Sequence, residues 1–244
     1  MTVRTLIVDD SPTMRRLIAA MLRRDPEIVV IGEADCVDSA RQMMRELSPD
    51  VVTLDIEMPG MNGLDFLERI MRLRPTPVVM VSTLTMHGAD STLRALELGA
   101  VDYFPKPTGP IDELLSQDDG SLATKVRNAA RTHVRARSPR PAEGARPRFV
   151  GNGYIIAIGA STGGVEALLE LLSGFPENCP PTLIVQHMPA AFTQQFANRL
   201  DRQCPPTIEI AKPDTFIEPG HVYIAPGGIQ HLMLRGAERF YCSL

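Results

Sequence analysis

The chain has 244 residues, 44% of them hydrophobic and 22% charged, with a net charge of −4 at pH 7; this is globular rather than disordered composition. The acidic balance offers no global field for nucleic acid or an anionic membrane, and no apolar run approaches the ~18 residues of a spanning helix. Cys36, Cys179, Cys204 and Cys242 are scattered without a Cys-x-x-Cys pair, which argues against a zinc site or disulfide framework and fits a reduced cytoplasm.

The first segment alternates strand and helix patterns. Residues 3–8 form an apolar run that ends in Asp9-Asp10. Ser11-Pro12 then caps a helix whose Met14, Leu17, Ile18, Met21 and Leu22 follow i, i+3, i+4, i+7, i+8 spacing, one face of an α-helix. Residues 28–31, 51–54, 78–81 and 101–104 are further short β-rich runs with helix patterns between them. Five such strands predict a doubly wound parallel sheet, with its site at the carboxyl ends of the strands.

Those strand ends read Asp9-Asp10, Asp55, Ser82-Thr83 and Lys106. Acids at strand ends commonly cap the following helix, and any one of these could be that. Four polar clusters on one edge point instead to a site. Converging carboxylates repel and need a cation, and their hard oxygens suit Mg²⁺. Asp55 can then act as a carboxylate nucleophile toward a phosphoryl donor. Lys106 would balance charge on the transferred oxygens, and the Ser82 hydroxyl could bond one of them.

The stretch 134–148, VRARSPRPAEGARPR, carries five arginines and three prolines and has little to bury. It reads as an extended tether; a basic arm for an acidic partner is the other reading. Beyond it, residues 154–159 (YIIAIG) form a buried-type strand running into Ala160-Ser161-Thr162-Gly163-Gly164. A helix pattern follows with Val165, Leu168, Leu169 and Leu172. Strand, tight turn, serine and helix is the layout of a nucleophile elbow. Helix N–H groups pointing at the turn can hold an oxyanion. A phosphate-cradling glycine turn is the alternative. A second strand, 183–185, ends in Gln186-His187-Met188-Pro189, which brings His187 one strand-end from Ser161 as a candidate general base. A third strand, 221–225, ends in Pro226-Gly227-Gly228. His133, His221 and His231 lie off this pattern and read as structural or solvated; His87 reads as a loop residue, and the methionines as packing.

Two resemblances follow. VDDSPTMR, TLDIEMPGMNGLDFL, VVMVSTLT and LGAVDYFPKP resemble a response-regulator receiver domain, with a flavodoxin-like fold. The resemblance implies that Asp55 is the phosphoacceptor. Asp10 and the backbone carbonyl of Glu57 would complete an Mg²⁺ shell with Asp9 beside them, and Ser82, Tyr103 and Lys106 would take the switch positions. Lys106-Pro107 matches a Lys-Pro that often holds a cis peptide. IIAIGASTGGVEAL, IVQHMPAAFTQQFANRL and PGHVYIAPGG resemble the catalytic domain of chemotaxis protein-glutamate methylesterases, which also deamidate receptor glutamines. That implies Ser161 as nucleophile, His187 as base and Thr162 as a supporting hydroxyl, with no cofactor for the esterase reaction.

The expected fold is α/β with two doubly wound parallel-sheet domains. Residues 1–125 would be the receiver, 126–150 a helix end and linker, and 151–244 part of an α/β methylesterase domain. The implied partners are a chemotaxis histidine kinase as phosphodonor and chemoreceptor cytoplasmic helices as substrate, with no nucleic acid, no membrane insertion and a cytoplasmic location. The resemblance also implies a triad aspartate in a Gly-Met-Gly-x-Asp-Gly segment, which does not occur among these 244 residues. A triad without its acid loses roughly 10⁴-fold in turnover, so an intact receiver and a weak or absent esterase are expected. A receiver acting as phosphoacceptor or binding partner is the competing function. A DNA-binding regulator finds no helix-turn-helix after the linker, and a nucleotide enzyme finds His187 where a ribose-binding acid is expected.

Overall fold

The computed structural model describes residues 2–58, 62–82, 86–107, 109–134, 149–150, 153–228, 230–237 and 239–244. Thr83 and nearly all of the Pro/Arg stretch lie outside them. The chain divides into two compact units, Met1–Ser138 and Pro139–Leu244.

In the first unit, β1 (Val3–Val8), β2 (Ile28–Ala34), β3 (Val51–Asp55), β4 (Val78–Ser82) and β5 (Asp102–Pro105) form one sheet in the order β2-β1-β3-β4-β5. Every pairing is parallel. β3 and β4 are buried at every position, as strands covered on both faces must be. The helices are α1 (Pro12–Arg23), α2 (Val37–Leu47), α3 (Gly63–Leu73), α4 (Met86–Glu97), α5 (Ile111–Ser116) and α6 (Ser121–Ala130). Ser11 caps α1 by accepting from the Met14 N–H at 3.3 Å, leaving Pro12 at the first turn where a missing N–H costs nothing. Leu17, Ile18, Met21 and Leu22 are buried as their spacing predicts, and with Leu122, Val126 and Ala129 of α6 they make one core. His87 lies within α4, not in a loop, because the helix begins at Met86.

Gly63 opens α3 where no side chain fits. A Cβ there would lie 2.0 Å from the Asp55 carbonyl oxygen. Its N–H donates to the Ile56 carbonyl at 3.0 Å, so the helix start is docked directly on the strand end that carries Asp55.

In the second unit, β6 (Ile156–Ala160), β7 (Thr182–Gln186), β8 (Thr207–Ile210) and β9 (His221–Ile224) form a parallel sheet in the order β6-β7-β9-β8. Helices α7 (Gly164–Ser173) and α8 (Ala190–Gln203) accompany it. Val165, Leu168, Leu169 and Leu172 of α7 and Phe192, Phe196 and Leu200 of α8 are buried. A hairpin of β10 (Met233–Arg235) and β11 (Tyr241–Ser243), which carries no helix or long-strand pattern in the sequence, follows. His221 proves structural: it lies 3.3 Å from Glu209 Oε1 and stacks on Tyr223.

One expectation changes. The segment 154–159 reads as a buried strand, yet β6 alternates, with Ala157 and Gly159 exposed. Their register partners are Leu183 and Val185, and Val185 is 52% exposed. Among the described residues β6 pairs only with β7, and this end of one sheet face is not covered.

Candidate functional sites

In the first unit the parallel topology brings the carboxyl ends of β1, β3, β4 and β5 together. Asp9 and Asp55 are buried, with Asp10 nearer the surface. Each buried carboxylate is oriented in the same way. Asp9 Oδ1 accepts from the Ser11 N–H at 2.9 Å and Asp55 Oδ1 from the Glu57 N–H at 3.1 Å. Their other oxygens face Lys106, whose Nζ lies 3.1 Å from Asp9 Oδ2 and 2.7 Å from Asp55 Oδ2. Those ion pairs leave both oxygens without a well-angled hydrogen bond. Arg15, which sequence reasoning missed, donates to the carbonyls of Asp9 and Asp10 at 2.8 and 3.0 Å and shapes the acidic loop from α1.

The electrostatics follow from burial. Desolvation pushes the Asp55 carboxyl up to about 6, against the lowering pull of Lys106. Burial opposes the Lys106 charge, but Asp55 and then Asp9 hold the ammonium above the ordinary lysine value. Asp9, Asp10 and Asp55 each offer one oxygen, all within 4.8 Å of one another. Two inner oxygens paired with one lysine, with a third carboxylate beside them, suit a hard divalent cation.

Ser82 ends β4 and is buried; Tyr103 lies buried on β5. Lys125 Nζ sits 5.4 Å from the Tyr103 ring centroid and 2.8 Å from Asp102 Oδ1. Burial raises the Tyr103 phenol above its ordinary value. No described peptide bond is cis, so the cis Lys106–Pro107 link suggested by the resemblance is absent.

In the second unit Ser161 follows β6 and His187 follows β7. The register pairs Ala160 with Gln186, and the His187 N–H donates to the Ala160 carbonyl at 2.9 Å. Ser161 Oγ and His187 Nδ1 are 3.5 Å apart, both exposed. This places a hydroxyl and a base at the edge of hydrogen-bond reach, the arrangement that activates a serine nucleophile. Thr162 adjoins them, partly buried. Among the described residues no carboxylate bonds the His187 ring, and the sequence supplies no third triad acid that matches the resemblance.

Gln186 closes β7, and a glutamine at a strand end carries no functional signal in the sequence. Its buried Nε2 donates to the Ser161 carbonyl at 3.0 Å and the His187 carbonyl at 3.4 Å. One amide therefore ties the two loops together. Among the described residues its Oε1 accepts no hydrogen bond, and it occupies the space a Cβ on Gly164 would need, 2.1 Å from that position. Glycine opens α7 for this reason.

Two family models match the chain: the response regulator receiver domain over residues 5–117 and CheB methylesterase over residues 156–243. The chain is 55% identical to protein-glutamate methylesterase/protein-glutamine glutaminase 1 of Caulobacter vibrioides, over 99% of this chain and 71% of that protein. It is 52% identical to the corresponding protein of Agrobacterium fabrum, over 99% and 70%. Among solved structures it is similar to the response regulator domain of Thermotoga maritima CheB, with TM-score 0.49 and 41% identity, over 55% of this chain and 99% of that one. Both family models on one chain, with this identity along nearly all of it, place the chain in the protein-glutamate methylesterase/protein-glutamine glutaminase family.

Proposed function

We propose that this chain is a phosphorylation-regulated hydrolase of chemotaxis adaptation. It removes methyl esters from glutamates of methyl-accepting chemoreceptors and deamidates receptor glutamines. The observation that carries the reading is the approach of Ser161 Oγ to His187 Nδ1 at one sheet edge, in a chain whose other unit gathers Asp9, Asp10, Asp55 and Lys106. Residues 1–125 act as receiver, 126–150 as the end of its last helix and the connection, and 151–244 as the catalytic part, in the cytoplasm. No described helix is long and apolar enough to cross a membrane.

Ser161 Oγ attacks the ester carbonyl carbon as His187 takes its proton. The first N–H groups of α7 face the carbonyl oxygen as it gains charge. His187 returns the proton to the leaving methanol, or to ammonia from a glutamine, and then activates the water that frees the acyl-serine. Thr162 supports the histidine.

Asp55 accepts the phosphoryl group from a chemotaxis histidine kinase: its carboxylate oxygen bonds phosphorus as the donor's N–P bond breaks. Mg²⁺, held by Asp10, Asp55 and the Glu57 carbonyl with Asp9 beside them, supplies charge neutralisation when bound. Lys106 pairs with the transferred oxygens, and Ser82 and Tyr103 respond to them.

Methanol release from methylated receptor membranes tests the hydrolase, with Ser161→Ala and His187→Ala. Release that persists in Ser161→Ala removes the assignment. Phosphorylation by a small-molecule donor tests the receiver, and label retained in Asp55→Asn removes that one.

A further inference from the structure

The acidic edge depends on a turn in the main chain. In an extended strand Asp9 and Asp10 would send their side chains to opposite faces. Here β1 stops at Val8, and Asp9, Asp10 and Asp55 bring one oxygen each within 4.8 Å of one another. The carbonyls of Asp9 and Asp10 both face a single nitrogen, Arg15 Nη1, at 2.8 and 3.0 Å. That nitrogen carries two hydrogens, one for each carbonyl. Two successive carbonyls on one donor mark a chain that has turned, and the same turn puts both carboxylates on one side.

The place of Arg15 in α1 explains its reach. It stands in the first turn, where its backbone N–H donates to the Ser11 carbonyl at 3.0 Å. Helical side chains lean toward the N-terminus, so the guanidinium returns over the loop before the helix. A positive charge at a helix N-terminus works against the helix dipole, and the loop bonds offset that cost. Clustered carboxylates repel. Asp55 ends a strand buried at every position, so the loop bearing Asp10 is the part that repulsion would displace. Charge-assisted bonds to both carbonyls oppose that displacement. We propose that Arg15 is a positioning residue for divalent cation binding: it holds the Asp9–Asp10 turn so that both carboxylates face Asp55 before the ion arrives. The proposal rests on the reading that these three acids hold the cation. It adds a group that acts through the main chain of two of them.

The sign of the effect separates this role from simple charge. A nearby positive charge repels a cation, so its removal alone tightens binding; loss of a positioning group weakens it. The test uses the full chain and Mn²⁺, a hard divalent probe that carboxylates accept, with the free ion read by electron paramagnetic resonance. Arg15→Met should weaken binding by roughly tenfold, the effect of losing a group that orients metal ligands. Arg15→Lys keeps the charge and a donor on a stem one bond shorter. It should bind more tightly than Arg15→Met, whereas charge alone gives the reverse order. Arg16→Met removes the same formal charge from the exposed neighbour and should bind as the parent does. Unchanged or tighter binding by Arg15→Met, Arg15→Lys no tighter than Arg15→Met, or an equal loss in Arg16→Met each overturns the proposal. So does loss of helix signal in both Arg15 variants, which would make the arginine a folding group. A parent that binds no better than Asp55→Asn overturns the cation reading and this proposal with it. A parent that binds better than Asp55→Asn, with Arg15→Met binding like the parent, overturns the proposal alone.

Discussion

Lys106 Nζ lies 2.7 Å from Asp55 Oδ2, within a pocket that leaves Asp55 1% exposed. The lysine partly offsets the cost of burying the carboxylate, yet burial still raises Asp55 to about 6. With a folded value above the unfolded value near 3.8, the folded chain binds more protons between those two limits. The contribution of Asp55 to stability is therefore fullest below about pH 4 and is lost as pH rises through about 6. Asp55→Asn should stabilise the first unit at pH 7.5 by on the order of 1 kcal/mol, after allowing for the lost lysine pair. It should do little at pH 4. Urea melts at the two pH values check this, and an equal effect at both contradicts it.

A proton on Asp55 competes with a metal ion. Below about pH 6, Mg²⁺ affinity should fall by about tenfold per pH unit, and above it should level off. Calorimetric titration across pH 5 to 8 measures the slope. A flat profile would mean that Asp55 is not among the ligands.

Gly164 and Gln186 share one space. Gly164→Ala sets a Cβ 2.1 Å from Gln186 Oε1 and 2.8 Å from the Ala160 Cβ. Overpacking of this kind costs about 1–3 kcal/mol. Gln186→Ala should relieve part of that cost, so the two changes are non-additive. Gln186→Leu removes the donor to both the Ser161 and His187 carbonyls and should slow labelling of Ser161 by a fluorophosphonate. Additive losses in the double variant, or unchanged labelling in Gln186→Leu, would contradict the clamp.

The four thiols divide by unit. Cys36 is exposed, whereas Cys179, Cys204 and Cys242 are buried in the second unit. Burial also raises the Cys179 and Cys242 thiols, which slows thiolate formation. One thiol per chain should react rapidly with an aromatic disulfide reagent, and three only on unfolding. Because β6 has an uncovered face, those three should become reactive at lower urea than the loss of helix signal from the first unit. Three or four rapid thiols in buffer would show that the second unit is not packed as described.

Much of the site was legible because its residues mark the ends of periodic segments. Asp9, Asp55, Ser82 and Lys106 each follow a β-rich run, and parallel topology then puts them on one edge. Ser161 and His187 were readable for the same reason. Gln186 and Arg15 were not: a strand glutamine and a helix arginine carry no signal until packing shows what they face. The β10–β11 hairpin escaped because its three-residue strands are shorter than any period can reveal.

Sequence alone determined the α/β class, the first sheet and the residues at its edge, since hydrophobic periodicity and strand-end chemistry are local properties. Tertiary structure decided what those residues do to one another. The lysine that pairs with Asp55 and the amide joining Ser161 to His187 are contacts between distant segments. It also decided that residues 156–160 form a half-exposed edge strand. Burial depends on neighbours, and a run of apolar residues does not say whether a second layer covers it.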